Sequence, residues 1–164
     1  MKLLFLFLMS FSNYVSEPSL FEIRSLYQQA AANESSCKRL VSLLRNYDHK
    51  TNAVYAGYRG CATMMMANHL FSPISKYSNF NTGKNLLEKA IASDGENVEL
   101  RFLRFAVQTN IPFFLGYKSS INSDKLFVIR SYKSITDLQL KQMIASFFRT
   151  SEHVSAKEKQ MFHE

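Results

Sequence analysis

The chain has 164 residues, one domain's worth, with 20 Lys plus Arg against 13 Asp plus Glu for a net charge of +7, and 46% of its residues are hydrophobic. That balance is too apolar and too weakly charged for a disordered chain. Two cysteines are too few for a disulfide scaffold or a four-cysteine zinc site, and five glycines with three prolines exclude collagen-like and linker-rich designs.

Lys2 precedes an apolar run from Leu3 to Phe11 that only Ser10 breaks. Ser10 and Ser12 are small residues at the spacing a signal peptidase reads. This layout predicts a secretory signal over 1–12, with cleavage as late as 18, and an exported chain, periplasmic or extracellular. The alternative is an amphipathic first helix packed on the body. The run is far short of the roughly 20 residues of a membrane span, so no transmembrane segment is expected in the mature chain. A single helical domain is expected over 19–149, followed by a polar tail over 150–164.

Ser19 and Glu22 have capping-box spacing, and Leu20, Ile23, Leu26, Tyr27 and Ala30 form the stripe of a first helix that fades near Asn33. A second helix is expected over 34–47, with Cys37, Leu40, Val41 and Leu44 inward. A polar turn at 48–52 leads to a third over 53–70. Gly57 and Gly60 lie inside it, where each glycine costs about 1 kcal/mol against alanine, so a neighbouring helix must approach closely. Met64–Met66 fill irregular core space or line an apolar groove. Pro73 is read as ending this helix and 75–82 as a loop. A fourth helix follows over 82–93 and a fifth, capped by Asn97, over 98–109. The apolar 110–117 stretch breaks helicity and seals one end of the core. Two more helices are expected, over 123–133 and, opened by Asp137, over 137–149. No strand-type alternation occurs, and the expected fold is all-α with about seven helices in antiparallel hairpins.

Cys37 and Cys61 fall at matching heights on either side of the turn near residue 50, given 1.5 Å of rise per helical residue. In an oxidising compartment they either form a disulfide or remain two buried thiols.

The 83–104 stretch resembles part of a tetratricopeptide (TPR) repeat. Gly83, Leu87, Ala90 and Ile91 stand at the positions of a repeat's second helix, Asp94-Gly95-Glu96-Asn97 at its turn, and Val98-Glu99 at the start of the next first helix. The resemblance implies TPR-like packing of helical hairpins. Arg101 and Arg104 depart from it, standing where the pattern has a large aromatic residue and a leucine. The pieces 61–67, 87–91, 99–104 and 114–117 also resemble a family of small exported bacterial helical proteins. That likeness implies export and a helical fold, and nothing catalytic.

His49, His69, His153 and His163 are too far apart in sequence to suggest a metal site, and no phosphate loop, dinucleotide fingerprint or nucleophile elbow is present. No cofactor is expected. The polar set that stands out is Arg101, Arg104 and Gln108, on one face of an apolar helix. It either forms a groove for an anion or a peptide carboxylate, or covers the helix by pairing with Glu88 or Glu99. The positive charge favours an acidic partner, but the basic residues are scattered and nucleic acid is not expected. The leading expectation is a non-enzymatic module that binds a protein or peptide. The alternatives are an enzyme with a site assembled from distant residues around helix 98–109, and a small-ligand carrier using Met64–Met66 and Phe113–Phe114.

Overall fold

Side-chain caps set most of the helix starts. Ser19 accepts from the Glu22 amide and opens α1 (Leu20–Ala30), and Asn33 opens α2 (Glu34–Leu43) by accepting from Ser36. Asn52 opens α3 (Ala53–Met65), which runs into a 3₁₀ turn, Met66–His69. Ser72 caps α4 (Pro73–Ser93), with Pro73 in its first turn. Asn97 opens α5 (Val98–Asn110) by accepting from both Glu99 and Leu100. After a 3₁₀ turn at Phe113–Leu115 come α6 (Ile121–Ser131), then α7 (Leu138–Thr150) capped by Asp137, and a one-turn α8 (Ala156–Lys159). The computed structural model describes residues 17–163; the signal expected over 1–12 lies outside them.

Among the described residues there are eight α-helices and no strand; six of the helices pair in chain order as the hairpins α1–α2, α3–α4 and α5–α6, while α7 is packed by the 3₁₀ turn Gln160–Phe162 that follows the short α8. The first helices stack side by side in the order α1, α3, α5, α7. This is the TPR-like arrangement that the 83–104 stretch suggested. Close approach within the second hairpin explains its glycines. A Cβ on Gly60 would lie 2.7 Å from the Gly83 carbonyl oxygen and 2.8 Å from the Leu87 amide nitrogen, and one on Gly83 would meet the Gly60 carbonyl.

Two elements differ from the sequence reading. Pro73 does not end the third helix; it begins the fourth, and the expected loop over 75–82 is helical. Residues 73–79 bury almost nothing, so they show no apolar stripe that would mark a helix. The 150–164 stretch is also more than a polar tail. Val154 and Phe162 are buried, and the Phe162 ring lies 4.6 Å from that of Phe148 and 4.5 Å from that of Tyr132. Two apolar residues in a polar stretch are enough to fold it back, and Lys125 on α6 holds Glu158 of α8 at 3.1 Å.

Candidate functional site

The inner face of the stack carries two features, a buried ionic clasp toward one end and an apolar groove toward the other. In the clasp every first helix contributes. Arg24 of α1 donates from Nε and Nη2 to the two oxygens of Glu99 on α5, at 2.7 and 2.8 Å. Its Nη1 reaches Asp137, the α7 cap, at 2.8 Å and Gln139 at 3.1 Å. Tyr58 of α3 donates its hydroxyl to Glu99 at 2.5 Å. Arg24 and Glu99 are 2% and 4% exposed, so the pair is desolvated and each charge depends on the other. Burial opposes the Arg24 charge, yet the Glu99 carboxylate outweighs it and raises the pKa of the guanidinium. Burial, reinforced by Glu99, also raises the Tyr58 hydroxyl well above its ordinary value.

The groove begins one helical turn further along. Its volume is about 930 Å³. Its deep surface is Tyr27, Cys61, Met64 and Phe102, and its walls include Ala106 and Met143. These positions follow from helical spacing: Tyr27 lies three residues after Arg24, Cys61 three after Tyr58, Phe102 three after Glu99 and Met143 four after Gln139, so clasp and groove share one face. Amides of Gln28, Asn68 and Asn110 edge the apolar lining. Among the described residues Lys76 is the one charged side chain in it. Phe114 and Leu115 border the groove on one side, and Pro73, Lys76 and Tyr77 come to it from α4. His69 holds its Nε2 at 2.8 Å from the Ala30 carbonyl, satisfying the end of α1 beside the groove.

Arg101, Arg104 and Gln108 do share a face, but it turns toward α6 and none of them lines the groove. Asp124, fully buried at the start of α6, receives Arg101 Nε and takes Arg104 Nε at 2.6 Å and Nη2 at 2.9 Å. Arg104 Nη1 reaches Glu88 at 2.9 Å, and Tyr117 donates to the other oxygen of Glu88. Gln108 accepts from the Ser120 amide at 3.2 Å, while its Nε2 has no hydrogen-bond partner among the described residues. The two guanidinium groups are therefore held by carboxylates of the chain itself. Glu88 was among the partners expected from sequence, and Asp124 was not. Glu99 goes to Arg24 instead, because it points to the opposite side of α5.

Of the two readings left open by the sequence, the cysteines take the second: they are two free, fully buried thiols. Their heights match as the spacing required, but their directions do not. Cys37 donates its thiol to the Ala62 carbonyl at 3.3 Å, and Cys61 turns to the floor of the groove. Burial pushes the Cys37 thiol up to about 11 and raises Cys61 further.

Among the described residues no group of three or more His, Cys, Asp or Glu side chains is placed to hold a metal ion, and no helix is long and apolar enough to cross a membrane. No protein-family model, curated protein or solved structure matches the chain.

Proposed function

We propose that this chain is a non-enzymatic binding module, and that the groove on its inner face receives an apolar segment of a peptide or protein partner. The observation that carries the reading is the groove itself. The four stacked first helices and α4 supply it, its lining is mostly aliphatic and aromatic, and a few amides at the edge can fix the orientation of a bound backbone. The methionines add a surface that repacks around differing side chains. Arg101 and Arg104 are not part of this site, since their charges are matched within the fold.

Ser146 is exposed and lines the groove from α7, so a large side chain there obstructs it without disturbing the core. Panning a displayed peptide library against the purified protein is expected to enrich apolar or amphipathic sequences. Their affinity should fall at least tenfold in Ser146→Trp, with helicity unchanged. Peptides that bind Ser146→Trp as tightly as the parent would reject the groove as the site.

The second reading is a carrier for one small apolar molecule, favoured because the volume lies within the usual range for single-ligand pockets. Native mass spectrometry separates the two readings, since a carrier retains an extractable small molecule of defined mass. The reading also includes export and membership in the family of small exported helical proteins. Mass spectrometry of the processed chain should then show loss of 12–18 N-terminal residues, and an intact Met1 in a cytosolic fraction would refute it.

A further inference from the structure

The carboxylates are distributed unevenly along the chain. None of the 13 Asp and Glu residues lies within 49–87 or 100–123. Those two segments carry five of the nine exposed large apolar side chains among the described residues: Phe71, Ile74, Tyr77, Phe113 and Phe114. Phe71 is fully exposed, and Ile74, Phe113 and Phe114 are 82%, 85% and 84% exposed.

The segments meet in space. The rings of Phe80 and Tyr117 pack edge to face at 6.2 Å, and Lys84 sits 5.1 Å from the centre of the Tyr117 ring. Lys76 and Phe114 border the same groove. Lys76 borders the groove with Tyr77 and Phe114, Lys84 lies over the Tyr117 ring, and Lys118 is next to Tyr117 in the chain. Among the described residues no carboxylate lies within 4 Å of any of these three ammonium groups. Elsewhere the surface has matched pairs, such as Lys38 with Glu34 and Arg39 with Glu22.

We propose that this face, formed by 71–77 and 113–118, docks on the surface of an anionic lipid bilayer. The apolar side chains project singly from two separate segments. A protein partner would need a fitted pocket for each, whereas the acyl boundary of a bilayer deforms around them. Aromatic rings at headgroup depth beside lysines that keep their ammonium groups at the phosphate level are the chemistry such an interface selects. Neither segment carries a carboxylate, and Glu88 beside Tyr117 is neutralised by Arg104, so little repels anionic headgroups; the overall charge of +7 adds attraction at longer range. The face shares Lys76, Tyr77 and Phe114 with the border of the groove, so the test reads insertion at residue 113, which lies outside the groove lining.

The chain contains no tryptophan, so one introduced ring is a unique reporter. Phe113→Trp, in the full chain, places it on the proposed face but outside the groove lining. Leu138→Trp, at a side chain 73% exposed at the start of α7, is the control. Both are mixed with brominated phosphatidylcholine vesicles, with and without phosphatidylglycerol. Phe113→Trp is expected to shift to the blue and be quenched by the anionic vesicles, and Leu138→Trp to remain unchanged. Adding Lys76→Gln or Lys118→Gln should weaken the partitioning of Phe113→Trp by roughly fivefold each. Both lysines lie outside the core, and circular dichroism verifies that the variants fold.

Emission from residue 113 that ignores anionic vesicles overturns the proposal. So does equal quenching in neutral vesicles with no effect of the lysine changes. A blue shift that grows with protein concentration without lipid would assign the face to a second copy. One produced by polyglutamate but not by vesicles would assign it to an acidic protein. Either result overturns bilayer docking.

Discussion

Asp124 decides what Arg101 and Arg104 do. A fully buried carboxylate needs its cations, and removing them leaves a charge in a medium that cannot solvate it. Arg101→Ala with Arg104→Ala is therefore expected to cost about 3–5 kcal/mol, read as a lowered urea midpoint, rather than to remove a partner from a folded protein. A folded double variant with an unchanged midpoint would return these arginines to the candidate site. Sequence could suggest Glu88, which faces Arg104 across a short hairpin, but no local spacing points to Asp124, 20 residues after Arg104. The cysteines follow a similar logic. Matching heights were legible from helical rise, whereas side-chain direction depends on how the two helices rotate against each other. Ellman's reagent should find almost no reactive thiol in the native protein and two after denaturation without reductant. A thiol held up from 9.0 to about 11 contributes stability that is complete below pH 9.0 and is lost as pH rises through the folded value. Melting temperature should thus decline above pH 9.0. In a Cys37→Ala, Cys61→Ala variant that decline should begin nearer 10.0, the ordinary value of Tyr27 and Tyr58, whose hydroxyls burial also raises.

Among the helices, α3 and α4 show how a stretch can be well read in one half and missed in the other. Gly60 announced a close neighbour because glycine inside a helix is otherwise unfavourable, and Gly83 turned out to be that neighbour. The atoms a Cβ would strike are backbone at Gly60, and at Gly83 backbone together with Met64 Cγ, and the backbone cannot swing aside. Gly60→Ala and Gly83→Ala should each cost about 1–3 kcal/mol by overpacking, opposite to the gain alanine brings at an open helical site. Thermal denaturation checks the sign, and a variant more stable than its parent would contradict the packing. The first two turns of α4 were hidden for the opposite reason. Pro73 is equally at home after one helix and at the start of the next, and the residues beyond it are exposed, so periodicity carried no message. The cost of that omission fell on function, since Lys76 and Tyr77 belong to the groove border. The other part of that border, Phe114, and the methionines behind it were within the region a carrier was expected to use.

Over the whole molecule, the hairpin order was legible because turns and caps are local, and the TPR-like stretch placed one second helix and the following first helix correctly. The clasp was not legible, because it joins residues 75 and 113 positions apart. It also alters what kind of stack this is. In an open array each hairpin touches only its neighbours, and units can melt from the ends. Here Arg24 of the first hairpin bonds Glu99 of the third and Asp137, the cap of α7. Arg24→Ala should therefore weaken protection from hydrogen exchange across α1, α3, α5 and α7 together. Loss confined to α1 would show that the units remain independent. The same bond has an evolutionary consequence. Repeat arrays lengthen and shorten by copying or deleting a unit, but an added or missing hairpin between the first and third would draw Arg24 away from Glu99 and strand both charges. This chain can drift in sequence on its outer faces, yet no hairpin can be gained or lost between the first and the third.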